Sequence, residues 1–390
     1  MKRINVTEPF LPPFEEYVEY LKGIWERNWL TNQGPLVQEL EQKLQAYHQL
    51  TMPVHCVANG SLGLQIALKA LGVKGEVITT PFSYVATTAC PLWEGCTVKF
   101  ADIEPDTLTI DPKAVEAAIT PKTEAILATH VFGNPCDVEA LAAIAKKHGI
   151  ALIFDAAHAF GVTYKGKNLL EYGDASMVSL HATKLMHSVE GGFIVAKDPA
   201  VSEKMEWMRR FGHKGQEAFH GIGMNAKLSE FHAAMGLCNL NHIEEIQGKR
   251  KAICDTYDQA LFGSQVSEVS GQVSSIESQA SALSPQPSEL GSLVYRGEAS
   301  RNYAYYPVIF ESESKLLDAV TRLESNGIYP RRYFYPALDQ VSVLSCKDTE
   351  CPIASDVSKV ILCLPLSGSM DKSVVNQVGD VIIDIVGGRE

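Results

Sequence analysis

The stretch SLHATKLMHSVEGG, residues 179–192, sets one lysine, Lys184, between small hydroxylic residues and a Glu-Gly-Gly. It follows an apolar run, ASMVSL, that reads as a strand. A lysine on the surface would simply be solvated. A lysine held in a dry site loses its proton more readily and becomes a nucleophilic amine. Three other places carry matching chemistry. Asp155 closes the apolar run ALIFD, with His158 three residues on. A carboxylate at the end of a buried strand needs a cation or a donor; a helix cap or a local ion pair is the plainer reading. Asn59-Gly60-Ser61 follows VHCVA and opens a run with helical spacing. Backbone N–H groups and a hydroxyl at a helix start suit a phosphate, although an ordinary cap uses the same residues. Tyr84 follows ITTPFS and offers a flat aromatic face, or else core packing.

These residues gain meaning from the elements that must position them. From residue 54 to about 196 the pattern repeats strand, turn and helix. Strands are expected at VHCVA (54–58), EVITT (76–80), TVKFADI (97–103), EAILATHVF (124–132), ALIFDAA (151–157), ASMVSL and GGFIVA. DVEALAAIAKKHG (137–149) begins on an Asp and ends on a basic turn and a Gly, as a helix should. Near-continuous apolar strands alternating with helices predict a mainly parallel sheet covered on both faces. In such a sheet ligands collect at the carboxyl ends of the strands, where all four groups fall. Helices dominate from about 199 to 263. Residues 264–300 are rich in Ser, Gln and Gly and read as a long exposed connection. A smaller α/β unit follows, with RNYAYYPVIF (301–310) as a strand, 313–326 as a helix and VSKVILCLPL (357–366) as a strand near the end. The expected organisation is a large domain over 15–245 and a small one over 246–390, with residues 1–14 packed nearby.

The bulk numbers narrow the function classes. With 390 residues the chain is too long for one small core. Its net charge of −12 opposes binding to nucleic acid or to an anionic membrane surface. No apolar run is long enough to span a bilayer, and MKRINVTEPF lacks the apolar core of a signal peptide. The nine cysteines are scattered, form no C-x-x-C, and suggest reduced thiols in a cytoplasm rather than a metal site. The turn at Gly60 has neither the Gly-Lys-Ser/Thr of a Walker loop nor G-x-G-x-x-G.

A phosphate-binding turn, a flat aromatic face, a buried Asp and a lysine in a dry site are together what pyridoxal 5′-phosphate asks for. Its phosphate takes a helix start and hydroxyls, its ring nitrogen an Asp, and its aldehyde a lysine. Residues 29–240 or so resemble the sugar aminotransferases that act on nucleotide-linked keto sugars, within the aspartate-aminotransferase-like (fold type I) class. The pieces that carry the resemblance run in order: NWLTNQGPLVQELEQKL, NGSLGLQIALKALG, VITTPFSYVATTA, VKFADIEPDTLTIDP, HVFGNPCDVEAL, IFDAAHAFGVTYKGK, GDASMVSLHATK, EGGFIVAKD and GMNAKLSEFHAAMGL.

The resemblance implies a mainly parallel seven-stranded sheet between helices, plus a smaller C-terminal α/β domain. It implies that Lys184 bonds the cofactor and shuttles the proton. It implies that Asp155 pairs with the pyridine nitrogen, Tyr84 stacks on the ring, and Gly60, Ser61 and Ser179 hold the phosphate. His158 would stand near the ring hydroxyl, and Asn225 would reach the phosphate from the other subunit of a homodimer. A cap for the helix from about 228 is the plainer reading of Asn225. Arg331 and Tyr333 are the candidates for substrate contact, in a stretch where many relatives carry His-Tyr and this chain has Tyr333-Phe334. L-glutamate would donate the amine, pyridoxamine 5′-phosphate would carry it, and a nucleotide keto sugar would receive it. The lysine motif resembles members that aminate C4. The implied reaction converts thymidine-diphosphate-4-keto-6-deoxyglucose to the 4-amino-4,6-dideoxy sugar. Amination at C3 or of another nucleotide sugar, a lyase or transferase acting on an amino acid, a dehydratase, and a regulator that merely keeps the fold are the alternatives.

Overall fold

The computed structural model describes residues 3–263, 290–344, 346 and 350–387. Seven strands form the main sheet: β1 (His55–Val57), β2 (Glu76–Thr79), β3 (Thr97–Phe100), β4 (Thr123–Thr129), β5 (Ala151–Asp155), β6 (Ala175–Ser179) and β7 (Gly192–Ala196). Their spatial order is β1-β7-β6-β5-β4-β2-β3. The β6-β5-β4-β2-β3 run is parallel, and β7 is antiparallel to both of its neighbours. The fold is α/β, with the mainly parallel seven-stranded sheet that the resemblance implies. Two apolar layers cover the sheet. Ile153, Met177 and Ile194 point into one, while Phe154, Val178 and Phe193 point into the other. That period-two alternation between two buried faces explains the near-continuous apolar strands.

Helices start where the sequence offers caps. The Asn59 side chain accepts from the Leu62 N–H at the start of α1 (Gly60–Ala70). Asp137 caps Val138–His148, which ends on Gly149 at φ 66°, a left-handed conformation that suits glycine. Ser229 caps α2 (Glu230–Asn241), accepting from the His232 N–H. The cap at this helix is therefore Ser229, and the plainer reading of Asn225 falls away.

A second, smaller sheet is antiparallel throughout, in the order β8 (Leu290–Ser292), β9 (Pro307–Phe310), β10 (Ile361–Cys363). Its core takes Val308, Phe310, Leu362, Leu316 and Ile382. The 20-residue helix α3 (Ile243–Phe262) joins the two regions. Ile243 and Ile246 pack in a core of the main sheet, and Ile253, Cys254 and Tyr257 pack in the second core. The boundary expected at 245/246 thus falls inside a continuous helix, and the change of core comes two turns later. Near the N-terminus, Ile4–Asn5 pairs in parallel with Ile328–Tyr329.

Three expectations need correction. RNYAYYPVIF is a strand only from Pro307, because Asn302 turns inward to donate to the carbonyls of His158 and Phe160. VSKV belongs to the helix Pro352–Val360, and only Ile361–Cys363 is strand. Of the Ser-rich connection, 264–289 lie outside the described residues. The remainder is not an exposed linker: it contains β8, and Arg296 donates to Glu104 and to the Pro135 carbonyl. Among the described residues, no helix is long and apolar enough to cross a membrane, and no His/Cys/Asp/Glu group could hold a metal ion.

Candidate active site

The carboxyl ends of β1, β2, β5 and β6 meet on one edge of the sheet, and the polar groups gather there. β1 runs into α1, whose first N–H groups, on Gly60 and Ser61, have no acceptor among the described residues. A Cβ placed on Gly60 would lie 3.4 Å from the Ser179 Cβ, so β6 ends beside the start of α1. A Cβ on Gly192 would sit 3.0 Å from the Gly60 nitrogen. The missing side chain at 192 leaves that N–H uncovered. Gly191 has a different task, since its Cβ would clash with Ser188 Oγ at 2.1 Å. Two open N–H groups with the hydroxyls of Ser61 and Ser179 make a corner suited to a phosphate.

Asp155, 4% exposed, ends β5. Its Oδ1 accepts from the Ala157 N–H at 3.0 Å and its Oδ2 from Thr87 Oγ1 at 2.9 Å. Thr87 is itself held by Ser83, at 2.7 Å, which reaches Thr129 at 3.1 Å. Burial raises the Asp155 pKa, and those two hydrogen bonds and the charge of Lys184 only partly oppose it. The carboxylate forms no ion pair among the described residues. Its described partners are two neutral donors.

Lys184 lies in the loop between β6 and β7. Leu180 donates to Gly191 O, Ser188 to Leu180 O and Ala182 to Val189 O, which folds the loop back on itself. The Lys184 Nζ donates to the Tyr305 hydroxyl at 3.3 Å. Burial lowers its pKa; Asp155, Tyr333 and Tyr84 pull the other way and do not cancel the effect. The free amine is thereby favoured.

His158 Nδ1 accepts from the Phe132 N–H at 3.1 Å. Burial, then the charge of Lys184, holds its pKa well below the usual imidazole range. The ring is neutral and carries its proton on Nε2. It stacks on Phe334, centroids 5.8 Å apart and planes 4° apart, and meets Tyr305 at 4.6 Å.

Tyr84 follows β2 and is 56% exposed, with its hydroxyl in electrostatic reach of Lys184. Tyr333 meets Tyr305 edge-on at 5.8 Å, and the exposed Arg331 lies over the Tyr333 ring at 4.9 Å. Arg332 is committed elsewhere, to Glu313 at 2.6 Å. The chain thus brings Lys184, Asp155, His158, Tyr84 and Tyr333 together, with Gly60, Ser61 and Ser179 at the phosphate corner. Asn225 does not join them within one chain. It is exposed, pairs with Arg210 in a β-bridge, and accepts from Lys227. Sequence reasoning missed Thr87 and Tyr305. Thr87 is one of several hydroxyls in a row, and Tyr305 sits in a run read as strand.

A buried carboxylate near a desolvated amine, beside open N–H groups, is an arrangement suited to cofactor-dependent amine chemistry. The chain belongs to the DegT/DnrJ/EryC1/StrS aminotransferase family, which it matches over residues 14–383. It is an aminotransferase. It is 35% identical to the dTDP-4-amino-4,6-dideoxy-D-glucose transaminase of Shigella dysenteriae, over 98% of this chain and 99% of that one. The protein of the same name from Escherichia coli is also 35% identical, over 98% of each chain. Among solved structures, DesI in the presence of its TDP-sugar product superposes with a TM-score of 0.88 at 28% identity, covering 100% of this chain and 94% of that chain.

Proposed function

We propose that the protein is a pyridoxal-phosphate-dependent transaminase that moves the amino group of L-glutamate to a nucleotide-linked 4-keto-6-deoxy sugar. The substrate we assign is dTDP-4-keto-6-deoxyglucose and the product dTDP-4-amino-4,6-dideoxyglucose, for which the similar transaminases are named. The observation that carries the reading is the pairing of Lys184, whose pKa burial lowers, with Asp155, a buried carboxyl whose described hydrogen bonds come from two neutral donors.

The residues fit pyridoxal phosphate. Gly60, Ser61 and Ser179 would hold the phosphate, and Asp155 would accept from the ring nitrogen. His158, a neutral donor, and Tyr84, an aromatic face, would complete the cofactor's surroundings. When bound, the cofactor supplies an electron sink for the bond broken at the donor carbon. Lys184 would hold the cofactor at rest and would be the group that moves a proton to and from the reacting carbon. Its pKa, lowered by burial, favours the free amine more than in an ordinary lysine. Tyr305 receives the lysine's hydrogen bond and keeps the amine aimed.

Asn225 acts across a homodimer in this reading, because its own chain leaves it exposed and outside the site. The apolar residues Trp25, Trp29, Phe211 and Ile222 are also exposed in the single chain and give a second copy something to cover. The cytoplasm is the compartment we assign, since the nine cysteines are all free.

The test is a two-stage one. The purified protein should show an absorbance band near the visible edge that glutamate bleaches, and dTDP-4-keto-6-deoxyglucose should restore it. Product NMR should place nitrogen on C4. Nitrogen on C3, or strict dependence on another nucleotide, would overturn the substrate assignment and leave the transaminase chemistry standing.

A further inference from the structure

A cavity of about 320 Å³ reaches Lys184 between the N-terminal segment and α3, with Phe10, Ile246, Arg250 and Gly368 in its walls. Arg250 is 4% exposed. Burial pulls its guanidinium down to about 10, so it stays charged at neutral pH. It forms no ion pair among the described residues; its only electrostatic neighbours are the Cys254 thiol and the Tyr305 phenol. Its hydrogen bond runs from Nη1 to the Leu366 carbonyl at 2.9 Å. Its Nε and Nη2 have no protein acceptor among the described residues, and neither is sealed from solvent-sized space. The other charges of the cavity are spoken for. Lys249 pairs with Glu245 at 2.6 Å, and Glu8 accepts from Ser369 at 2.7 Å. A buried guanidinium with its donors unspent is an anion site.

We propose that Arg250 binds the carboxylate of the amino donor, so that an α-amino acid lies in this cavity with its amine toward Lys184. The proposal rests on the transaminase reading. Tyr305 connects the two ends: it accepts from Lys184 Nζ, and the charge of Arg250 acts on its hydroxyl. An α-amino acid needs this arrangement, because its carboxylate is one carbon from the amine that reacts. The diphosphate of a nucleotide sugar shares the anionic chemistry. It would bring more than one charge into walls where, among the described residues, Arg250 is the one cation without an ion pair besides Lys184 itself, and where Phe10, Leu11, Leu185 and Ile246 are apolar, so the observations favour the carboxylate.

The experiment uses the cofactor-loaded protein, wild type and Arg250→Gln. Glutarate, an unreactive dicarboxylate, is titrated by calorimetry; the variant should bind it about 30-fold more weakly, the value of one charge-assisted pair of about 2 kcal/mol. Bleaching of the absorbance band is then timed with glutamate and with 1-phenylethylamine, a donor without a carboxylate. The glutamate step should slow by a similar factor or more at low concentration, the phenylethylamine step should not change, and the return step with the keto sugar should not change. If Arg250→Gln does not fold, Arg250→Lys is read the same way, with an expected loss of about tenfold, because lysine keeps the charge but not the two-pronged geometry. Equal losses with both donors would make Arg250 a support for Leu366 only and overturn the proposal. A loss confined to the sugar step would assign the diphosphate instead, and unchanged glutarate binding would also overturn it. A wild-type protein whose band glutamate fails to bleach would overturn the transaminase reading itself, and this proposal with it.

Discussion

Lys184 and Arg209 are both basic side chains drawn out of water beside the same sheet, and the protein treats them in opposite ways. Arg209, 1% exposed, donates to Glu41, to Glu206 and to the Cys56 carbonyl. Burial would lower its pKa, but Glu41 and Glu206 outweigh that and raise it. Glu206 responds in kind. Burial would raise it, yet the hydrogen bond from His55 and the charge of Arg209 bring it down to about 2. Lys184 has a distant carboxylate, a phenol hydrogen bond and a lowered pKa. A buried charge with its counter-charges in contact is part of the scaffold. A buried charge left short of them is kept for a ligand.

The contrast breaks most sharply at Lys184. Lys184→Ala should cut turnover by on the order of 10⁴-fold or more, the scale of losing a residue that acts as a unit with its cofactor. Normal transamination by the purified variant would end the assignment. Asp155→Asn comes next. In the proposed reading it removes the anion that would keep the ring nitrogen protonated, and the glutamate half-reaction should slow by roughly 10²–10³-fold. Cofactor retention, read from the absorbance of a gel-filtered sample, should suffer less. A half-reaction at the wild-type rate would make Asp155 structural only.

Arg209→Leu should do the reverse. It strands Glu41 and Glu206, so unfolding should become easier by about 3–5 kcal/mol, while activity per folded molecule holds. Urea titration and active-site counting separate the two. The same pair sharpens the comparison through pH. Glu206 titrates at an ordinary 4.5 when unfolded and about 2 when folded. It therefore adds stability above pH 4.5, and that stability is lost as pH falls from 4.5 toward 2. The acid limb of wild-type unfolding should be steeper than that of Arg209→Leu over this window.

Lys184 gives the smallest effect, with the opposite sign. Its folded pKa lies below the ordinary 10.5, so the unfolded chain binds more protons between the two values. Stability then rises with pH across that window, and the charge is a burden below it. Cofactor-free Lys184→Met should melt about 1–3 °C above cofactor-free wild type at neutral pH, the shift expected of roughly 1 kcal/mol in a long chain. A lower melting temperature would mean that Lys184 is held as Arg209 is.

Much of the site is readable from residue order. The strands of the main sheet are apolar runs stopped by polar residues, and a parallel sheet gathers the residues just past its strand ends along one edge. Lys184, Asp155, Gly60 and Ser61 are legible for that reason. Groups that arrive from other elements are not. Arg250 lies in GKRKAIC between two lysines that pair on the outside, Lys249 with Glu245 and Lys251 with Asp255. A signal is nonetheless present in the spacing. Ile246, Arg250, Ile253 and Tyr257 fall on one helical stripe, and three of the four are core residues. An arginine on an apolar stripe asks for a reason. The end of Ser-rich composition does not mark the end of the connection either, because Arg296 and Asn134 hold residues 294–296 through hydrogen bonds that composition does not reveal.

The two reacting groups are mounted differently. Asp155 belongs to β5 itself, flanked by β4 and β6, and moves only if the sheet does. Lys184 hangs from a loop whose ends, Ser179 and Gly192, face each other across β6 and β7. One is a fixed post and the other a tethered arm whose anchor points are set side by side. The arm is itself seated: Leu185, Met186 and Ser188 are buried, and the His187 ring meets the Phe10 carbonyl at 2.8 Å. The lysine's position is thereby set by the packing of a loop against the N-terminal segment, and that of the carboxylate by strand pairing alone, so a change in one mounting need not disturb the other.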